Sequence, residues 1–511
     1  MTAQGRREDD SPIAEDRKAE RTPLPKLQLL IVFLIQFAEP VTATVIYPFV
    51  NQFVRETGIT GGDETKTGYY AGIVESTFFF SETLTVFAWG WLSDLLGRRP
   101  VLLLGPLGLS LAMLGFGFST TFWPLVFFRA FQGLFNGNIG ENSVGVSKSV
   151  LAEITDSTNI GDAYALAPIM WSVGLTIGPT LGGVLSSPAS RWPETFGRIP
   201  FFHHHPYFLP CAAAAFIAFA SFFISSIALK ETLPASRRAK LSSLWRRDGK
   251  KRNDARDDAT TPLLTDATSD HYATVAVVES GIPIPVKEEK RPPLSQLFVP
   301  SFVITIANFG LLAFVDMSMS ALIPLVYSTP IEYGGLGMDP LQIGTIMGTF
   351  SILNGVFSGL FLGSLIRRYG TLSIYQMGIF SFFVVIAGFP VGNALARRAG
   401  GIDAFVHLVV VIQFLAMGAI YPCYASMMLM VIQNTPSKLL LGSANGAAQM
   451  VTSGSRALAP AIASSLFSLS IQRNLLGGYA VYYIFVVLTA VVIRVSRYLP
   501  SPPLEQETAS Q

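Results

Sequence analysis

Twelve long apolar runs follow one another along the chain, separated by short polar segments. A helix needs about 20 apolar residues to cross the hydrocarbon core of a bilayer, so each run predicts one membrane-spanning helix. The first run covers about 27–53, the second 68–91, the third 101–120, the fourth 122–140 and the fifth 163–185, and the sixth ends at 229. Six more follow at about 298–327, 341–366, 371–391, 403–430, 440–470 and 478–495. The pattern predicts an all-α integral membrane protein of twelve transmembrane helices in two six-helix halves, 27–229 and 298–495. A polar tail (1–26) precedes them, a charged linker (230–297) joins them, and a second tail (496–511) follows. An even number of spans puts both tails and the linker on one face. Short cytoplasmic loops are rich in Lys and Arg. Arg98, Arg99, Arg367, Arg368, Lys438, Arg494 and Arg497 mark that face as cytoplasmic, against Arg397, Arg398 and Arg473 on the other.

Composition agrees. Of 511 residues, 50% are hydrophobic and only 14% charged, where soluble proteins carry about 25% charged residues. A net charge of +2 gives no reason to expect a nucleic-acid partner. Cys211 and Cys423 both lie inside apolar runs, which argues against a disulfide framework. The polar start lacks the short apolar core of a secretory signal. The basic cluster in the linker, Arg237 to Arg256, faces the cytoplasm. The tract His203-His204-His205 falls in an external loop and reads as solvated, so no metal site is assigned. There is no phosphate loop of the form G-x-x-x-x-G-K-[ST], hence no nucleotide-driven pump and no cofactor, and no nucleophile–base spacing that suggests an enzyme.

The hinge between the second and third runs reads Gly90-Trp-Leu-Ser-Asp94-Leu-Leu-Gly97-Arg98-Arg99-Pro100. Gly90 permits close helix approach and Gly97 a tight turn. This G-x-L-x-D-x-x-G-R-R spacing resembles the loop 2–3 signature of the major facilitator superfamily, with Leu95 standing where many members have Arg. The fourth run contains Arg129-Ala-Phe-Gln132-Gly133-Leu-Phe-Asn136, similar to a second signature found in proton-coupled members. The fifth contains Gly174-Leu-Thr-Ile-Gly178-Pro179-Thr-Leu-Gly182-Gly183, whose glycines four apart form a smooth groove for a neighbouring helix. It resembles the span-five signature of the antiporter branch, and that resemblance implies export. Between the fourth and fifth runs, Glu141 to Gly145 reads as an insertion, followed by a polar loop from Lys148 to Gly161.

The halves repeat. Aligning Gly97 with Gly370 places Gly90 on Gly363 and the acid Asp94 on Arg367, so the second hinge has lost its carboxylate; Gly178-Pro179 falls on Ala459-Pro460. Parallel six-helix repeats put the substrate site near the midplane between halves.

Charges at membrane depth are costly and usually functional. The candidates for proton coupling are Glu39, Glu75, Glu82, Arg129, Asp316 and Arg456, with Glu39 and Glu82 expected near Arg129. Candidate cavity residues are Gln36, Gln132, Asn136, Asn308, Asn354, Asn445 and Gln449. The superfamily resemblance further implies that Asp94 locks against the start of the eleventh span, near Thr435-Pro436-Ser437, when the carrier opens outward, with Arg98 competing for it. At finer grain, Phe37-Ala-Glu39-Pro40 and Asn445-Gly446…Arg456…Pro460 resemble the zinc-induced-facilitator-like group, including fungal members, and twelve-span drug:proton antiporters. The expected function is a secondary carrier, acting as a monomer in a plasma or vacuolar membrane. It exports a small organic compound, metal chelate or cation in exchange for protons. A nutrient facilitator or symporter is the alternative, and a non-transporting sensor on the same fold a third.

Overall fold

The computed structural model describes residues 22–137, 146–156, 158–233, 293–437 and 440–499. The insertion at 141–145, Lys148's neighbours before 146, Lys438 and nearly all of the linker and tails lie outside the described residues. Every regular element among the described residues is helical. The first part of the chain forms α1 (Lys26–Thr44), α2 (Val50–Glu56), α3 (Thr67–Leu96), α4 (Arg98–Phe118), α5 (Phe122–Asn136), α6 (Val146–Ile154), α7 (Ile160–Leu185) and α8 (Phe208–Ala228). The second part forms α9 (Pro300–Ser328), α10 (Pro340–Tyr369), α11 (Thr371–Ala399), α12 (Ala404–Gly418), α13 (Tyr421–Gln433), α14 (Leu441–Gln472) and α15 (Ala480–Ser496). Seven segments, including α12 and α13 taken together, are long and apolar enough to cross a membrane. Large apolar side chains such as Trp123, Phe127, Phe216, Leu360 and Leu415 are exposed on the outer surface, as a multi-pass membrane protein requires.

Three boundaries differ from the sequence reading. The first apolar run is not one helix but α1, a turn over 45–49, and α2. Pro48 biases Tyr47 away from the helical region, and the Thr42 and Thr44 hydroxyls bond back to the carbonyls of Ala38 and Pro40, which loosens the preceding turn. The run at 403–430 likewise breaks into α12 and α13, with Pro422 in the first turn of α13, where its missing N–H costs nothing. The predicted loop after the fourth run contains α6, because Val146, Val150 and Leu151 share a buried face. Elsewhere the helices overrun the apolar runs into water. Gly97, at φ 111°, ends α3; Gly370, at φ 76°, ends α10. Only glycine takes such angles without strain.

The same neighbour pairs recur in both halves. In the first, α1 packs on α7 and α8, α3 on α5, and α4 on α5 and α8; in the second, α9 packs on α14 and α15, α10 on α13, and α11 on α12, α13 and α15. Two seams join the halves, α7 with α10 and α3 with α14. They are the same contact made twice. A Cβ added at Gly344 of α10 would meet the Pro179 carbonyl of α7 at 2.4 Å, and one added at Gly72 of α3 would meet the Pro460 carbonyl of α14 at 2.9 Å. Each seam therefore runs a Gly/Ala-Pro carbonyl against a glycine, as the Gly178-Pro179 to Ala459-Pro460 alignment leads one to expect.

Both seams lie toward the face opposite the Gly97 hinge. Arg55, at the end of α2, reinforces that closure by donating to the Ser328 carbonyl of α9 at 3.0 Å, Ser76 accepts from the Ala461 N–H of α14 at 2.8 Å, and Tyr69 donates to Gln472 at 3.2 Å. On the hinge face the halves part. Gly90, Gly359, Gly442 and Gly446 would each carry a Cβ into open space. The molecule is closed away from the hinge and open toward it.

Candidate functional site

The first half supplies a buried polar cluster from α1, α3 and α5. Asn136 ends α5 and is 1% exposed. Its amide nitrogen donates to Glu39 Oε1 of α1 at 3.0 Å and to Glu82 Oε1 of α3 at 3.1 Å. One amide group with two hydrogens thus serves two carboxylates, which sit no more than about 6 Å apart, close enough for each charge to affect the other. Glu39 is buried, whereas Glu82 keeps partial exposure. The position of Asn136 follows from the helix: Arg129, Gln132 and Asn136 lie on one face of α5 at spacings of three and four, and Gly133 lets that face approach α3 at Phe78 and Ser81.

Arg129 takes a different set of partners from the one expected. It donates to Gln132 Oε1 at 2.6 Å and to the Ala43 carbonyl at 3.2 Å, and its guanidinium lies 4.3 Å from the Phe78 ring centroid. Gln132 in turn donates to the Thr42 carbonyl at 2.9 Å. Ala43 offers its carbonyl where α1 gives way to the turn, so the broken first span is what receives the arginine. Glu75 and Glu82 lie within the electrostatic reach of Arg129, but the carboxylate pair is held by Asn136, not by Arg129. Glu75 is buried, with Oε2 unpartnered. Gln36 is buried beside this cluster on α1.

The second half answers with Asp316 on α9 and Arg456 on α14. The Tyr424 hydroxyl of α13 donates to Asp316 Oδ2 at 2.7 Å, and the Arg456 guanidinium lies over the same tyrosine ring at 5.6 Å. Tyr424 stands between acid and base. The field of Arg456 also reaches Glu82 across the gap between halves. Asp316, Glu82 and Arg456 are all half-buried. Of the predicted amides, Asn308 is fully buried and bonded to its own helix and to Tyr375, so it holds α9 against α11 rather than facing solute. Asn354 and Asn445 each leave their side-chain oxygen unpartnered, and Gln449 accepts only a long 3.5 Å bond from Thr452.

The Gly97 hinge is a hydrogen-bonded hub. Arg98, 5% exposed, donates to Asp94 at 2.5 Å, to Ser93 at 2.8 Å and to Glu153 of α6 at 3.1 Å. Glu231, just past α8, accepts the backbone N–H groups of Arg98 and Arg99 at 2.9 and 3.3 Å. A carboxylate there satisfies the free N–H groups that open α4 and meets the positive end of its dipole. Arg99 donates to the Ser226 carbonyl at 2.6 Å. Among the described residues the second hinge shows no such hub: Arg367 reaches Ser364 of its own helix at 3.3 Å. Asp94 points outward, 65% exposed, while the first turns of α14 stand clear at Gly442 and Gly446. With the hinge face open, Asp94 is held by Arg98, and no bond from it to α14 occurs among the described residues.

The span-five glycines divide their work. Gly174 and Gly178 pack on α1 at Pro40 and Thr44 and Gly182 on the turn after it at Val45, whereas Gly183 and Pro179 meet α10. His203 Nε2 donates to the Gly197 carbonyl at 2.9 Å, and no group of three metal-ligating side chains occurs among the described residues.

Tyr424, Glu153 and Glu231 were not foreseen as site residues. A tyrosine inside an apolar run looks the same as one facing lipid. Glu153 sits in the short loop helix and Glu231 just past a span, and their partner at Arg98 is distant in sequence.

The family model described as "Major Facilitator Superfamily" matches residues 32–460. The chain belongs to this superfamily. It is 32% identical over 496 residues to the major facilitator-type transporter psiT2 of Psilocybe cyanescens, covering 93% of this chain and 90% of that one. It is 27% identical to the multidrug transporter mfsB of Aspergillus fumigatus, covering 89% and 80%. It is also 27% identical to Protein ZINC INDUCED FACILITATOR-LIKE 1 of Arabidopsis thaliana, covering 93% and 92%. Among solved structures, the POT family transporter PepTSo superposes with a TM-score of 0.62 at 10% identity, covering 93% of this chain and 98% of that one. The resemblance in the hinge and in spans one and eleven is therefore that of a transporter of this superfamily.

Proposed function

We propose that the chain exports a small solute in exchange for protons, with all twelve long helical segments crossing the bilayer and the Gly97 hinge on the cytoplasmic face. The carrying observation is the Asn136 amide shared by Glu39 and Glu82. Two carboxylates so close repel when both are charged, so the pair is a natural seat for one proton. Arg456 faces Glu82 from the other half. Rocking of one half against the other changes that distance, and with it the tendency of the pair to hold its proton. A solute that neutralises the pair, or displaces its proton, then exchanges for it. Efflux and multidrug transport are the roles named for several relatives, which supports export of an organic compound or cation. The carrier needs no resident metal or cofactor for this cycle, and one copy of the chain contains both halves.

Reconstitution in lipid vesicles tests the proposal. With a pH gradient imposed, and a panel of lipophilic cations, zinc and potassium offered, one solute should move against the proton flow, and Glu39→Gln should reduce that movement at least about tenfold, as removal of an ionisable group in a coupled site does. Equal movement with and without the gradient makes the chain a facilitator. Movement in the proton's direction makes it a symporter.

A further inference from the structure

Thr22 lies on the strap that leads into α1, and it is tied into the loop between α6 and α7 by a compact knot. Its hydroxyl donates to Asp156 Oδ2, its backbone N–H donates to Thr158 Oγ1 at 3.1 Å, and the Asn159 amide donates to both its carbonyl and its hydroxyl, at 3.3 and 3.2 Å. Asp156 also accepts the Thr158 hydroxyl at 2.6 Å and its N–H at 2.8 Å. These bonds hold the Asp156 carboxyl below the usual carboxylate range, the Thr158 hydroxyl contributing most and the Thr22 hydroxyl next. The acceptor is therefore a full anion. Leu24, two residues on, packs with Leu29, Phe33 and Leu151 and so seats the strap against α1 and α6. One turn before Asp156, Glu153 holds Arg98 of the hinge. The strap and the hinge thus brace the same short segment.

Thr22 itself is exposed and is followed by Pro23, with Arg17, Lys18 and Arg21 upstream. A hydroxyl-bearing residue followed by proline, on a surface strap, is the local chemistry that proline-directed Ser/Thr kinases use. We propose that Thr22 is a phosphorylation site whose modification unties the strap from the α6–α7 loop. The threonine oxygen attacks the γ-phosphorus of a nucleoside triphosphate. The new O–P bond replaces the bond to the departing diphosphate, and the hydroxyl proton passes to the kinase. That removes the donor Thr22 offers to Asp156 and sets roughly 1.5–2 negative charges against the carboxylate. Attraction becomes repulsion at the centre of the knot. A kinase needs the segment extended, so modification captures strap that has already left the knot and holds it there.

The experiment uses the full chain in lipid nanodiscs and a proline-directed kinase chosen for activity on a peptide of residues 15–30. Phosphate should appear at Thr22 by peptide mass spectrometry. The amides of Thr22 and Thr158 should then exchange with deuterium about tenfold faster, the change expected for losing one hydrogen bond of ordinary strength. Thr22→Glu should behave likewise. Adding Asp156→Asn to Thr22→Glu should restore slow exchange, since the new amide donates where the carboxylate repelled. Failure of Thr22 to take phosphate overturns the site. Phosphate at Thr22 with exchange unchanged, or Thr22→Glu exchange that Asp156→Asn does not slow, overturns the switch.

Discussion

At the scale of single residues, Asn136 matters more than its chemistry alone suggests. Neither carboxylate of the Glu39–Glu82 pair makes an ion pair with Arg129; the amide is what brings them together. Replacing it with a methyl leaves two acceptors without their shared donor, at a cost of about 1–3 kcal/mol. Asn136→Ala should therefore lower the melting temperature measurably and cut gradient-driven transport at least about tenfold, with α5 still packed on α3 through Gly133. Transport at the wild-type rate would mean that the bridge is structural only. The buried charges were legible in the sequence because ionisable residues inside apolar runs are rare and stand out. Their pairing was not. It depends on helix rotation and on where α1 breaks, and Pro48 together with the threonine back-bonds sets that break only in three dimensions. Asn136 was expected to line a cavity and instead bridges two acids.

At the scale of elements, the two seams carry the closure. The turn at Gly97 and the close helix contacts of the span-five glycines could be picked out from spacing, because glycine positions report where backbones must touch or turn. The groove's division of labour was not readable. Three of its glycines serve α1 and the turn after it within the same half, and only Gly183 with Pro179 reaches α10. The contribution of Glu231 to the hinge was equally hidden, since a carboxylate after a span carries no local sign of the helix start it satisfies. A side chain at Gly344 would overlap the Pro179 carbonyl and the Gly183 Cα, at 2.4 and 2.8 Å from its Cβ. Gly344→Leu should pry this seam open and drive the halves together on the hinge face. Cys211 and Cys423 are free and fully buried, so spin labels on cysteines placed at Gly90 and Gly442 report hinge-face separation cleanly. The substitution should shift their distance distribution from long to short, which requires a bias of about 1–3 kcal/mol between the two states. An unchanged distribution would contradict the assignment of this seam as the closing contact.

At the scale of the whole molecule, two similar halves meet along two symmetric seams, with Glu82 of the first half within the field of Arg456 of the second. Closure away from the hinge, an open space at the first turns of α14, and Asp94 held by Arg98 are what the proposed rocking cycle requires of one of its ends. The superfamily and its transporter relatives were legible in the motifs; which face is open came only from the packing. In the proposed exchange, solute and proton compete for one carrier. The most direct measurement is proton release on solute binding, followed with a pH-sensitive dye in weakly buffered detergent, using the solute that moves in the vesicle assay. About one proton should be released per solute bound, and none from Glu39→Gln combined with Glu82→Gln. Binding that releases no proton from the unmodified protein, or that takes one up, would contradict it.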